Sequence, residues 1–431
     1  MTVAVVGGGI AGAFTARALR QRGEQVVVVD AGAEPGGITT PIERHGYFLE
    51  PAAGTVMLPH PHLEPLLVGL GLDVVPAAAS RRLVYRRGST LALAPGPRLL
   101  ASLLLTPRAK LRLLAEPFVR GGVTENESLE TLLVRRLGRE GGRLAAWFMA
   151  AGVHAGDPAQ LAARAVAPML VAAESSSGSL LRGALASRRR SPATRPAPHV
   201  VGGGMSRLAA AVAADLGDAW MRSWPVERIE RRGSGWRLHG AGSTLEASRV
   251  VAAIPPSALV QLLADPPEIE PGDPWAAVAV VWLGTAQPLP EAIGVLVGPD
   301  EGFAVLGFLF ESSYAPFRAP PGKGLVKAIV GGATNPGVVD LEDDDLIGRV
   351  RSELERVLGE SPEVEMSHVV RHRPGIPQFT SERTRMLERL RRTLPEGLDV
   401  AGWAYDGVGI SHLATAAVRR AESISRGSGS S

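Results

Sequence analysis

The chain has 431 residues, 45% hydrophobic and 21% charged, which is ordinary for a folded soluble enzyme and excludes a disordered chain lacking the apolar surface to offset its ordering entropy. It contains no cysteine, so disulfides, thiolate nucleophiles, iron–sulfur clusters and Cys-type zinc sites are excluded, and a reducing cytoplasm is the expected compartment. The formal net charge of +3 is too small to argue for nucleic acid.

The length leaves room for two or three domains at roughly 100–200 residues each. The N-terminus has no basic leader, and no run of about 18 apolar residues predicts a spanning helix. The opening reads as strand, turn, helix, strand. Val3–Val6 is a short apolar run, Gly7–Gly12 follows, Ala11–Arg20 has helical composition, and β-branched Val26–Val29 ends in Asp30. The middle is arginine-rich and helical in composition over Leu99–Arg120 and Leu129–Arg143, with loops expected at Ser175–Ser179 and at Arg188–Pro198, which holds Pro192. The stretch Arg98–Arg120 sets Arg98, Arg108, Lys110, Arg112 and Arg120 among leucines, the composition of a helix lying at a membrane interface or of one with a solvated face. From Gly202–Gly204 a helix is expected over Leu208–Leu216. Strands follow at Val226–Glu230, Trp236–His239, Thr244–Glu246 and Arg249–Ile254. A β-rich stretch over Ala276–Gly332, a polar helix at Asp343–Leu358, and a last strand–turn–helix unit from Leu398 to Ile424 complete the pattern.

The chemistry concentrates in glycines. Gly7-Gly8-Gly9-Ile10-Ala11-Gly12 contains G-x-G-x-x-G. Gly7 permits the tight turn, Gly9 lets backbone approach a pyrophosphate, and Gly12 lets helix and strand pack closely. The helix N-terminus offers amide donors to phosphate, and Asp30 ends the second strand where an acid meets ribose hydroxyls. A plain tight turn is the alternative for the glycines alone, but strand, helix and acid together point to a bound dinucleotide. Gly36-Gly37 soon after the second strand, and Tyr405-Asp406-Gly407-Val408-Gly409 between a strand and a helix, would let an extended FAD lie against backbone. There is no second G-x-G-x-x-G, which disfavours a separate NAD(P)H domain. His60 and His62 lack further metal-spaced partners, and His368 and His372 fall in a segment that reads as a strand, so no metal site is expected.

Over nearly its whole length the sequence resembles the protoporphyrinogen oxidase family, within the monoamine-oxidase-like flavoproteins. The residues carrying the resemblance are Val3–Gly12, Asp30, Gly36-Gly37, Gly152-Val153-His154-Ala155-Gly156-Asp157, Gly331-Gly332, Gly375–Phe379 and Ala401–Gly409. His154 stands where that family usually has Tyr, Glu34 where it has Arg, and Ser411-His412-Leu413 replaces an N-D-C.

The resemblance implies an α/β fold: a discontinuous Rossmann-like FAD-binding domain (1–78, 196–258 and 395–424), a helical insertion with possible membrane contact (79–195), and a mixed β-sheet substrate domain (259–394), before a disordered tail (425–431). It implies FAD contacts from Gly7, Gly9, Ile10, Ala11, Gly12, Asp30, Gly36, Gly37, Val226, Trp403, Tyr405, Gly407, Val408, Gly409 and Ile410. Substrate contacts are expected from Arg82, Gly152, Phe308 and Ile329. No side chain is expected as catalytic base, since flavin N5 is the hydride acceptor. The expected reaction is oxygen-dependent oxidation of protoporphyrinogen IX to protoporphyrin IX in haem synthesis. Coproporphyrinogen III oxidation, another amine-oxidase- or desaturase-like reaction, and a silent FAD-binding partner protein are the alternatives. A cytoplasmic location, with peripheral contact at the inner face of the membrane, goes with the leading reading.

Overall fold

A computed structural model of the chain describes residues 2–93, 99, 101–122, 124, 126–190, 196–266 and 273–428. Its first layer is a five-stranded sheet in the order Trp220–Met221, Gln25–Val29, Thr2–Val6, Arg249–Ala252, Leu398–Val400. Every pairing in it is parallel, with Val5 opposite Val28 on one side and Val251 on the other. Both faces of such a sheet are covered, which is why these strands read as unbroken apolar runs. On one face Val3 and Val5 meet the helix Ile10–Arg20 and two further helices, Ser206–Leu216 and Ile410–Ser428. On the other, Ala4 and Val6 meet a three-stranded meander, 226–247, and the helix Ser381–Thr393. Three segments distant in sequence thus build one dinucleotide-type domain.

The second layer is a seven-stranded sheet in the order Val364–Pro377, Trp275–Thr285, Gly324–Gly331, Val305–Phe310, Gly294–Val297, Arg82–Arg86, Ser89–Ala92. One face is closed by the helix Asp343–Leu358, whose Leu346, Val350 and Leu354 pack on Val281, Phe308 and Phe310. The other turns toward the first domain, where Val280 and Trp282 pack on Tyr47 and Leu49. A helical insertion carries helices Pro107–Leu114, Leu129–Leu137, Arg139–His154, Pro168–Ser177 and Leu180–Arg190. Among the described residues no helix is long and apolar enough to cross a membrane.

Several local expectations change. Strands 82–86 and 89–92, grouped by sequence with the helical insertion, form a hairpin in the large sheet. Arg87 and Gly88 turn it with φ of 53° and 73°, a backbone that suits a tight hairpin turn. Leu99–Arg120 is not one helix. Pro107 starts a helix at Thr106, whose hydroxyl caps it, and Pro117 confines the next turn to Glu116–Phe118. Ser175–Ser177 are helical, and the helix stops at Gly178 in the left-handed region. The helix Ser381–Thr393 is absent from the sequence reading. Its buried face is only Met386, Leu387, Leu390 and Arg383, and charged residues hide that stripe. The last helix continues to Ser428, past the point where a tail was expected to begin. Arg98, Pro192 and residues 429–431 lie outside the described residues.

Candidate active site

The glycine turn joins the first strand to the helix Ile10–Arg20, and each glycine sits there for its own reason. Gly7 has φ +104°, a conformation L side chains rarely adopt. A Cβ at Gly12 would come 1.9 Å from Gly7 O, so nothing larger than hydrogen fits between helix and strand. At Gly9 a Cβ would meet nothing closer than Gly36 O at 4.0 Å. Gly9 therefore borders open space at the start of a helix that no side chain caps. Its orphan amides and dipole favour an anion there. Ile10 is buried in the core and Ala11 is half-buried at that N-terminus.

Two other segments converge on this turn. Gly36 donates its amide to Gly8 O at 3.0 Å and forms a parallel bridge with Gly9, and Gly37 lies against Gly9 Cα. Asp30 accepts from Gly32 N at 3.2 Å through Oδ1, while its Oδ2 is buried without a partner among the described residues. An orphaned carboxylate oxygen beside a glycine turn is what a ribose hydroxyl would satisfy. From the C-terminal segment, Gly402 approaches Ala11, and Gly407 and Gly409 have φ of +104° and +118°. Asp406 closes this turn by accepting from Gly402 N at 2.9 Å, and Arg420 holds the same carboxylate at 3.0 Å. Val408 and Ile410 flank the turn at the start of the last helix. These features fit a dinucleotide with its pyrophosphate at Gly9, its ribose at Asp30 and its far end toward Gly407–Gly409.

Tyr405, Trp403 and Val226, also expected at the cofactor, have side chains engaged within the protein. Tyr405 is buried and donates from its hydroxyl to Ile254 O at 2.9 Å, so its side chain ties the last segment to the sheet. Burial raises its phenol well above the usual range. Trp403 packs edge-on against Trp275 with ring centres 5.5 Å apart. Val226 opens the first strand of the meander, half-buried against the core that holds Val29 and Val250.

Sheet register sorts the substrate candidates. Arg82 pairs with Gly294, Leu296 with Gly307, and Gly307 with Ile329. Paired residues share a face and so do residues i and i+2, which puts Arg82, Leu296 and Ile329 on one side of the sheet. Gly152, in the last turn of the helix Arg139–His154, faces the same side: a Cβ there would lie 3.4 Å from Leu296 Cδ2. Trp147, one turn earlier, donates to Val297 O at 2.9 Å and fixes helix against strand. Ile329, Ile376, Val278 and Leu306 give this wall an aliphatic lining. Arg82 is exposed at its rim. Phe308 is not part of it. It pairs with Val295 and Ala328 on the opposite face and is 1% exposed under the helix Asp343–Leu358. Period two puts every second residue of this strand into that core.

Among the polar groups near these walls, His154 stands out in the sequence only as a replacement for the Tyr of the resembled family. His154 is buried, with Nδ1 unpartnered, and burial pushes its pKa down to about 4 with a smaller contribution from His412, so its imidazole is neutral. Lys327, on the same face as Arg82 and Ile329, is 2% exposed. It donates to the carbonyls of Glu50 at 2.5 Å and Ala52 at 2.6 Å. It is therefore engaged within the fold. Glu50 is wholly buried, and burial raises its carboxyl despite the nearby Arg318. The carbonyl partners of Lys327 lie about 275 residues upstream in the chain, beyond the reach of a local pattern. Among the described residues no group of three or more His, Asp or Glu side chains could hold a metal ion.

Residues 10–411 match the family described as flavin containing amine oxidoreductase. A human protoporphyrinogen oxidase is 30% identical over 394 residues, covering 80% of this chain and 80% of that protein. A coproporphyrinogen III oxidase of Bacillus subtilis (strain 168) is 24% identical over 446 residues, covering 95% of this chain and 94% of that one. A solved structure from Exiguobacterium sp. 255-15 superposes with a TM-score of 0.83 at 22% identity, over 99% of this chain and 98% of that chain, which shows the fold is shared. With the glycine turn, the orphaned Asp30 oxygen and the converging C-terminal turn already in place, the chain belongs to the flavin containing amine oxidoreductases and is an FAD-dependent oxidoreductase.

Proposed function

We propose that this oxidoreductase oxidises a porphyrinogen, protoporphyrinogen IX in preference to coproporphyrinogen III, with oxygen as electron acceptor, late in haem synthesis. The observation that carries the reading is the shared face of Arg82, Gly152, Leu296 and Ile329: an aliphatic wall with one exposed guanidinium at its rim. A largely apolar macrocycle with carboxylates at one edge suits that wall. The relatives named above as porphyrinogen oxidases support the substrate class.

In this reading Arg82 pairs a propionate, since guanidinium and carboxylate match in two parallel hydrogen bonds. Gly152 leaves the ring room beside Leu296. Ile329 and Ile376 exclude water, and the wall sets the ring edge against the cofactor, so orientation is the protein's main contribution. When bound, FAD supplies a hydride acceptor at N5. Gly9, Asp30 and Gly407–Gly409 hold it. The preference between substrates rests on Lys327. A tetracarboxylate needs cations at both edges, because a buried unpaired carboxylate is very costly. The lysine of that face is bonded to Glu50 and Ala52. Oxidase assays on the two porphyrinogens side by side, read by porphyrin fluorescence, test this. A higher kcat/KM for coproporphyrinogen III would reverse the choice.

The reading extends to a peripheral membrane contact through the helical insertion. Leu103, Leu111, Leu114 and Phe118 are 55–84% exposed, and Arg108 and Lys110 stand among them. Apolar side chains of this kind beside cations suit an anionic lipid surface.

A further inference from the structure

The loop that follows the strand Tyr47–Leu49 is held by its carbonyl oxygens. Lys327 Nζ donates to Glu50 O and Ala52 O, at 2.5 and 2.6 Å. His372 Nε2 lies 3.1 Å from Pro51 O. A carbonyl can only accept, so this nitrogen carries the hydrogen. Arg318 Nη2 donates to Gly54 O at 2.8 Å. All three side chains come from the second layer of the fold: Lys327 and His372 lie on strands of the large sheet, and Arg318 on the turn Pro316–Arg318. Residues 51–55 belong to no strand or helix, so their shape is set by these outside donors.

The same loop touches the cofactor cradle on its other side. Glu50 Oε1 accepts from Met205 N at 2.8 Å. Ser206 comes next and packs against Gly36, where a Cβ would stand 3.2 Å from Ser206 Cβ. Gly36 in turn donates to Gly8 O at 3.0 Å. An unbroken path of contacts runs from Lys327 through Glu50, Met205, Ser206 and Gly36 to the glycine turn.

Charge balance alone does not account for this lysine. Glu311 and Arg318, both fully buried, approach to 3.2 Å, whereas Lys327 keeps 3.9 Å from Glu311 and gives its hydrogen bonds to carbonyls. A buried ammonium is expensive, and an apolar residue of similar volume would often be no worse for stability. What an apolar residue could not do is fix two carbonyls at positions i and i+2.

We propose that Lys327 and His372 are positioning residues: by holding the loop 50–54 through its carbonyl oxygens, they fix the shape of the FAD cradle on which that loop rests. The proposal depends on FAD lying at Gly9 and Asp30. Its test uses the full chain stripped of flavin and titrated with FAD, followed by flavin fluorescence, with the visible flavin spectrum and the thermal midpoint of the apo protein as further readouts. Lys327→Met should weaken FAD binding about tenfold or more and shift the flavin band. Lys327→Met combined with Glu311→Gln restores the charge count. It should raise the apo midpoint above that of Lys327→Met but not restore FAD affinity. His372→Leu exchanges one neutral group for another and should weaken FAD by roughly threefold with the apo midpoint unchanged.

Recovery of FAD affinity in the double variant would reduce Lys327 to charge balance and overturn the proposal. So would unchanged affinity in both single variants. If Lys327→Met does not fold, His372→Leu decides alone. Failure of the unaltered chain to bind FAD would refute the cradle itself, a result distinct from any of these.

Discussion

Asp30 Oδ2 lies 2.1 Å from where a Cβ on Gly8 would stand, so the acid ending the second strand closes directly over the glycine turn. This carboxylate oxygen is buried and has no partner among the described residues. A bound ribose hydroxyl would satisfy it. Asp30→Ala removes a charge-assisted hydrogen bond worth about 1.5–3 kcal/mol, on the order of ten- to a hundredfold in the Kd for FAD. Titration of the apo variant with FAD checks this, and an unchanged Kd would place the ribose elsewhere.

Gly9 and Gly12 lie three residues apart and should fail in different ways. A side chain at Gly9 meets only open space in the protein. Gly9→Val should therefore leave the apo thermal midpoint near that of the unaltered chain and abolish FAD binding. A Cβ at Gly12 would lie 1.9 Å from Gly7 O. Gly12→Ala should lower the apo midpoint itself, since helix and strand must separate to admit it. Calorimetry and FAD titration on both proteins separate the two causes. Equal loss of apo stability in the two variants would contradict the distinction.

The glycine turn was legible in sequence because it is local. Strand, turn, helix and acid fall within the first thirty residues, and each glycine has a backbone reason to be there. The helix Asp343–Leu358 was legible for the same reason, its acidic first turn, apolar stripe and terminal Gly359 being contiguous. What depends on pairing was not. Phe308 and Ile329 both read as apolar strand residues, and only register across three strands assigns them to opposite faces. The hairpin 82–92 was hidden by arginines on its first strand, one in from the edge of the sheet, and the helix 381–393 by the charge on its exposed side. Lys327 and Glu50 meet across 277 residues of chain, which no spacing rule reaches.

Arg82 stands exposed at the end of the aliphatic wall, remote in sequence from the glycine turn. A propionate bound there contributes equally to the ground and transition states, so Arg82→Ala should raise KM and change kcat little. Loss of one charge-assisted pair, about 1.5–3 kcal/mol, corresponds to roughly a ten- to hundredfold rise. Steady-state kinetics with a porphyrinogen measure it. Unchanged KM would return Arg82 to the solvated surface.

In the helical insertion, fully buried Arg136 donates from Nε to Glu116 at 2.7 Å, and Arg135 bonds Glu174 at 2.7 Å. Burial on its own would raise both carboxyls, but for Glu116 the Ser179 hydroxyl, the Leu180 and Leu181 amides and Arg136 outweigh it, and for Glu174 Arg135 does. Both are held below the ordinary range. A lowered carboxyl pKa contributes stability that is complete above the unfolded value of about 4.3 and is lost as pH falls through the folded value. Thermal midpoints should therefore drop steeply on acidification. Glu116→Gln should be less stable near neutrality by roughly 1.5–3 kcal/mol, because Arg136 loses its main charge-assisted partner and keeps Glu174 at 3.5 Å. It should also flatten the acid limb. A variant with the same acid limb as the unaltered chain would show that other carboxylates control it.

Phe308 and Ile329 give the sharpest separation of scaffold from substrate wall, because they belong to neighbouring strands and opposite faces. Phe308 is 1% exposed among Val281, Phe310, Leu346 and Val350, where truncation leaves a cavity that packed neighbours cannot close. Phe308→Ala should lower stability by about 3–5 kcal/mol while KM for a porphyrinogen stays within about twofold. Ile329 is only half-buried, beside Ile376 and Leu306 on the face that carries Arg82 and Leu296. Its side chain is partly exposed, so solvent or ligand can fill the space left by truncation and the stability loss should be smaller. Losing that apolar contact should raise KM, and a wider wall should admit the substrate in more orientations and lower kcat too. Denaturant midpoints and steady-state kinetics on the two alanine variants read both effects. A KM change in Phe308→Ala with none in Ile329→Ala would mean that the substrate lies on the other side of the sheet, under the helix Asp343–Leu358.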